Sequence, residues 1–148
     1  MCGIVGYVGK ENAASILIEG LSKLEYRGYD SAGIAVLDNS RDKKEIEIIK
    51  AKGRLQALRE MTDNGKAVKG YCGIGHTRWA THGEPSVINA HPHVSKDKKI
   101  AVVHNGIIEN YKELRERLEA HGYTFQSETD TETVAHLVDY LQRHRIVR

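Results

Sequence analysis

Met1-Cys2-Gly3-Ile4-Val5-Gly6, the first residues of the chain, decide how the remainder is read. Initiator methionine is ordinarily trimmed when the next residue is small, and cysteine qualifies. Trimming leaves Cys2 first, with a thiol and a free α-amine on one residue. An unperturbed α-amine titrates at about 7.7–8.0 and a thiol at about 8.5. The amine is then partly neutral near neutral pH and can accept the thiol proton, so one residue supplies both nucleophile and base. Gly3 lets a ligand approach the backbone closely. With Met1 retained, the amine is consumed in a peptide bond and the base is lost. The competing reading of Cys2 is an ordinary cysteine near a terminus. Cys72, inside an apolar strand pattern, reads as a buried, inert thiol.

Outward from this start, residues 3–8 read as a short apolar strand. A helical period begins at Asn12, with Ala13, Ile16, Leu17, Leu21 and Leu24 on one face, and stops near Arg27-Gly28. Residues 31–37 and 45–51 read as strands, the second alternating charged and β-branched residues, with a polar turn over 38–44 between them. Leu55, Leu58 and Met61 mark a short helix. Residues 71–77 and 100–107 read as buried strands. Between them, 78–95 carries both prolines and no usable period; so long a loop in a compact domain is commonly functional. Asn110, with Glu113 behind it, is placed to cap a helix through Tyr111, Leu114 and Leu118 that Gly122 ends. Val134, Leu137, Val138 and Leu141 mark a last helix. Layered sheets with helices outside, an α/β or α+β domain, accommodate this order.

Composition narrows the function classes. The 148 residues are 40% hydrophobic and 28% charged, a globular balance. A chain of this size buries roughly two-thirds of its unfolded surface. No apolar run is long enough to cross a bilayer as a helix, and no basic segment precedes an apolar stretch as in a secretory signal. Two cysteines make no disulfide framework and point to a reducing, cytoplasmic setting. A net charge of +2 implies neither nucleic acid nor a lipid surface as a partner.

Further blocks follow in order: Tyr-Arg-Gly-Tyr-Asp-Ser-Ala-Gly at 26–33, Gly-His-Thr-Arg-Trp-Ala-Thr-His-Gly at 75–83, His-Asn-Gly at 104–106 and Ser-Glu-Thr-Asp-Thr-Glu at 127–132. With the Cys-Gly start they resemble, nearly from end to end, the glutaminase domains of the glucosamine-6-phosphate synthase family, a branch of the class II glutamine amidotransferases. Amidophosphoribosyltransferase-like sisters carry His where Tyr26 stands and lack the Trp-Ala-Thr-His run, so Tyr26, Trp79 and His82 favour the hexosamine branch. The resemblance implies an α+β fold, a four-layer αββα N-terminal-nucleophile hydrolase sandwich. Residues 1–148 would be one type 2 glutaminase domain, truncated at its C-terminus and without the family's sugar-isomerase domains.

The resemblance also implies roles. Cys2 would be the nucleophile in hydrolysis of L-glutamine to glutamate and ammonia. Asn105 and Gly106 would supply oxyanion donors, although Asn-Gly by itself reads as a hairpin turn. Arg78 offers a planar fork to the substrate carboxylate, with help from Thr81 and His82, and Asp130 a counter-charge to its ammonium. Trp79, otherwise a core filler, would gate an ammonia passage under a covering loop at 78–85. Arg27 and Asp30 would organise the site around Cys2. No metal or organic cofactor is implied. His91-Pro92-His93 invites a metal reading, yet no Cys or carboxylate completes a tetrahedral set at familiar spacing, and hydrogen-bonded loop and strand histidines are the better account. Fructose 6-phosphate would be met only through the isomerase domains, and a homo-oligomer only in a longer protein. Three alternatives stay open: an inactive glutamine-binding module, a structural fragment completed by a second polypeptide, and the glutaminase domain of another class II amidotransferase.

Overall fold

A computed structural model describes residues 1–38, 44–81 and 83–145. His82 and most of the turn expected over 38–44 lie outside those residues. The chain begins as strand β1 (Gly3–Val8), followed by helix α1 (Ala13–Ser22) and a 3₁₀ turn at Glu25–Arg27. Strands β2 (Ser31–Asp38) and β3 (Glu45–Lys52), helix α2 (Leu55–Thr62) and strand β4 (Cys72–Arg78) come next. Two short strands, β5 (His93–Val94) and β6 (Ala101–Val102), precede helices α3 (Tyr111–Ala120) and α4 (Thr131–Arg143).

The main sheet is wholly antiparallel, in the order β1-β4-β2-β3. Its register places Gly3 opposite Thr77 and Ser31 opposite Arg78, so the start of β1 and the end of β4 arrive together. β2 lies inside the sheet and is buried from Ser31 to Val36. One of its faces, Ala32, Ile34 and Val36, joins the apolar core under α1 and α2. The opposite face meets the 90–93 segment. A Cβ at Gly33 would collide with the His91 carbonyl, so only glycine permits that approach. The outer strand β3 carries Glu45, Glu47, Lys50 and Lys52, as an edge strand commonly does.

The β5–β6 hairpin forms a thin second β layer, and α4 packs on it with α3 beside α4. The order is helices, sheet, hairpin, helices, the αββα arrangement expected from the resemblance.

Several elements depart from the sequence reading. Asn12 caps α1 through its side chain. Its Oδ1 accepts from Ser15 N at 2.9 Å, and its Nδ2 donates to Val68 O at 2.8 Å. The buried face of α1 is Ala13, Ala14, Leu17, Ile18 and Leu21, rotated from the expected stripe; Ile16 is half-buried and Leu24 lies past the end. The strand expected over 100–107 survives only as Ala101–Val102, because the backbone then leaves the hairpin toward Cys2. Asn110 precedes α3 but makes no side-chain cap bond. α4 buries Glu132, Thr133, Ala135, His136 and Asp139, leaving the expected stripe Val134, Leu137, Val138 and Leu141 half-buried.

Candidate active site

The sheet register brings Cys2 beside the end of β4. The Trp79 amide donates to Cys2 Sγ at 3.3 Å, and the thiol lies 3.6 Å from the Trp79 carbonyl. The Met1 ammonium donates to the carbonyls of Arg27 and Gly28, each at 2.9 Å. Asp30 fixes the other side of this corner: its Oδ2 accepts from Ala80 N at 2.7 Å, and its own amide donates to Arg78 O at 2.8 Å. Arg27 and Asp30 thus sit around Cys2 without entering the cavity in front of it.

That cavity, of about 240 Å³, is lined by Cys2, Arg78, Trp79, Thr81, Gly106 and Asp130, six of the residues singled out from the sequence. Arg78 is 3% exposed, and its guanidinium donates to Gly83 O at 3.1 Å and Glu84 O at 3.4 Å, so it also ties down the backbone at 83–84. Trp79 is 54% exposed, which removes core filling as its role. Asp130 stands at the start of α4 yet does not cap it; its Oδ2 accepts from Ile108 N at 2.7 Å. This bond draws the 105–108 segment over the cavity. Asn105 does not itself line the cavity; it lies on irregular backbone between His104 and Gly106, which do, with no hairpin closing on it, and its Nδ2 donates to Cys2 O at 3.4 Å. Gly106 has φ +119°, a conformation that strains any side chain.

Sequence reasoning missed several wall residues. His91, His104, Thr129 and Thr131 line the same cavity. His91 Nδ1, His104 Nδ1 and Thr131 Oγ1 are buried without a hydrogen-bond partner among the described residues. The signals were there without a role attached: His104 lies in the 104–106 block, Thr129 and Thr131 in the 127–132 block, and His91 in the His91-Pro92-His93 run. Behind the wall, His76 stacks on His91 with ring centroids 4.2 Å apart, and His91 meets His93 edge-on at 4.7 Å. Burial is the main cause that lowers all three histidines, His76 to about 4 and His93 to about 3. The rings are therefore neutral at pH 7.

Glu132 secures the loop before α4. Burial pushes its carboxyl up, but His136, Ser127 and the amides of Gln126 and Ser127 outweigh this and hold it at about 2. Those amides donate at 2.8 and 2.7 Å, and the Ser127 hydroxyl donates as well. The loop so fixed carries Thr129 and Asp130 to the cavity.

A cysteine at the head of a sheet strand, facing a cavity within an αββα sandwich, defines the N-terminal-nucleophile class of fold. Residues 33–146 match the family described as the glutamine amidotransferase domain, and the chain belongs to that family. It is 61% identical over 140 residues to the glutamine–fructose-6-phosphate aminotransferase (isomerizing) of Clostridium acetobutylicum, covering 95% of this chain and 22% of that protein. With the enzyme of the same name from Caldanaerobacter subterraneus it shares 60% over 147 residues, 99% of this chain and 23% of that one. The chain thus spans under a quarter of the length of these curated relatives. Among solved structures, the glutamine phosphoribosylpyrophosphate amidotransferase of B. subtilis superposes with a TM-score of 0.76 at 31% identity, over 94% of this chain and 29% of that one. In the described residues no helix is long and apolar enough to cross a membrane.

Proposed function

We propose that this domain hydrolyses L-glutamine through Cys2. The single observation that carries the reading is the convergence of the Cys2 thiol, Arg78, Gly106 and Asp130 on one cavity, with Asn105 bonded to the Cys2 carbonyl. Arg78 receives the substrate carboxylate and Asp130 its ammonium, with Thr81 and His82 assisting. These two anchors present the side-chain amide to the sulfur. Once Met1 is removed, the Cys2 amine takes the thiol proton and the thiolate attacks Cδ of glutamine. The Asn105 amide and the Gly106 N–H stabilise the oxygen as it gains charge. Collapse of the adduct breaks the C–N bond, and the proton held by the amine leaves with ammonia. Water, deprotonated by the same amine, then cleaves the γ-glutamyl thioester to glutamate and restores the thiol. Nucleophile, base and oxyanion donors all come from the chain, so the step requires no metal or cofactor.

Its curated relatives supply the wider context of this proposal. The ammonia would serve amination of fructose 6-phosphate in hexosamine synthesis, in parts of those enzymes that this chain does not span. Trp79 would gate its passage, the setting would be cytoplasmic, and any homo-oligomer would belong to the longer protein. With Met1 retained, the domain would bind glutamine without releasing glutamate.

Mass spectrometry of the purified N-terminus beside a glutamate-release assay tests the reading. Protein that begins at Cys2 is expected to release glutamate, and Cys2→Ala to lose at least about 10³-fold of that rate. Equal release by the two proteins removes Cys2 as nucleophile.

A further inference from the structure

Asn105 poses a positioning problem. It is exposed, lies on irregular backbone, and would have to aim two N–H bonds within hydrogen-bonding tolerance of a developing charge. Its side chain makes two bonds among the described residues: Nδ2 to Cys2 O at 3.4 Å, and Oδ1 to His76 Nε2 at 2.8 Å. His76 contrasts with it in every respect. It is 0% exposed, lies on β4 between β1 and β2, and pairs with Ile4 on one side and Gly33 on the other. Its ring is clamped by the 4.2 Å stack on His91, which in turn abuts His93, whose Nε2 lies 2.8 Å from Thr129 Oγ1.

We propose that His76 is a positioning residue: its Nε2–H donates to Asn105 Oδ1 and so turns the amide NH₂ toward Cys2 and the substrate oxygen. The inference rests on the glutaminase reading above. An amide oxygen and nitrogen occupy nearly the same space, so the heavy-atom positions alone allow two arrangements. With the proton on Nε2, two hydrogen bonds form, His76 to Asn105 and Asn105 to Cys2. With the proton on Nδ1, the amide must flip to donate to Nε2. Its oxygen then faces the Cys2 carbonyl, and two lone-pair-bearing oxygens confront each other at 3.4 Å. One bond is lost and nothing replaces it. By geometry Nδ1 of His76 is buried without a hydrogen-bond partner among the described residues, while the His104 backbone lies near enough to the ring to favour its protonated form. The second arrangement holds an acceptor where the reaction needs a donor. The position of one proton on a buried ring thus decides whether Asn105 can stabilise an oxyanion. Burial keeps the ring neutral, with a single N–H to place.

Two substitutions separate the roles. His76→Phe keeps a flat ring on His91 and removes the donor; His76→Gln keeps a donor near the Nε2 position. His76→Phe is expected to lower kcat about 30- to 100-fold with KM within about threefold, somewhat less than outright removal of an oxyanion donor. His76→Gln is expected to recover activity to within about tenfold of the parent. Rates are normalised to the sites labelled by an electrophilic glutamine analogue, so misfolded protein does not count. An active parent with an unchanged His76→Phe, or two variants falling equally, overturns the proposal. Should His76→Phe not fold, ¹⁵N NMR of the unmodified ring decides: a protonated Nε2 is expected, and a protonated Nδ1 refutes the role. An inactive parent beginning at Cys2 overturns the glutaminase reading instead, and the tautomer measurement still judges the geometry.

Discussion

The two faces of the main sheet are built from opposite materials. Toward α1 and α2, Leu17, Ile18, Leu21, Ile34, Val36, Leu55 and Leu58 are all at most 1% exposed, and their side chains carry no hydrogen-bonding group. Toward the hairpin and α4, the large buried side chains include His76, Arg78, His91, His93, Thr129, Asp130, Glu132 and His136, with only small apolar residues such as Ala35, Ala90 and Ala135 among them. The apolar face gains stability from area removed from water, roughly 25 cal/mol per Å². The polar face gains little that way, since each buried donor or acceptor must recover the water it gave up. What it gains is placement: groups aimed at one cavity by bonds with directions. Stability and chemistry are thus divided between two sides of one sheet, and β4 belongs to both.

Acid is the strongest way to break this division. The folded values of His76 (about 4) and His93 (about 3) lie below the ordinary histidine value, and His91 is lowered too. Below about pH 6.5 the unfolded chain therefore binds more protons than the folded one. This stability is fully present above about pH 6.5 and is lost as pH falls toward the folded values, by up to about 1.4 kcal/mol per pH unit for each ring. Arg78 and Lys50 face the cluster and reinforce the effect; Glu132 opposes it at His93. Glu132 adds its own loss between its ordinary value and about 2. Urea melts are expected to show a loss of about 3 kcal/mol or more between about pH 6.5 and 5. A flat profile over that interval means the polar face is wet and the rings titrate freely.

The same division explains what the sequence made legible. Apolar periodicity reports faces that bury hydrocarbon, so β1 to β4, α1 and α2 were found nearly in place. It finds α4 but misplaces its inner face, which is Glu132, His136 and Asp139, because hydrogen bonding rather than hydropathy puts those residues inside. It overreads the strand expected over 100–107, of which only Ala101–Val102 pairs, because the backbone then turns away to carry Asn105 toward Cys2. Cys2, Arg78, Trp79, Thr81, Gly106 and Asp130 were legible as motif blocks, and the structure brings them together around one cavity. The His76–Asn105 pair was not, because a contact across 29 positions leaves no periodic trace.

Substitution on the apolar face should have the reverse signature. Leu17 is 0% exposed, and Leu17→Ala leaves a cavity under the sheet. The expected loss is about 3–4 kcal/mol in urea or thermal melts. Glutamate release per labelled site should be unchanged, since α1 does not reach the cavity lined by Cys2. A loss of rate per folded molecule would mean that the two faces are mechanically coupled through β4.

Outside both faces, α3 marks the floor of the comparison. Glu113 and Arg117 meet at 2.8 Å, one turn apart, with side chains 60% and 71% exposed. The pair is favourably ordered, acid toward the helix N-terminus and base toward the C-terminus, so it should help rather than harm. Yet water screens both charges, and each long side chain gives up rotamer freedom to hold the contact. Glu113→Ala is therefore expected to change stability by no more than about 0.5 kcal/mol, and the difference should vanish in about 1 M salt. A bond as short as those around Asp130 and Asn105 would then matter less than any of them. Distance alone does not rank interactions in this molecule; the water excluded around them does. A salt-resistant loss of about 2 kcal/mol or more at Glu113, well above the range for exposed pairs, would contradict that ranking.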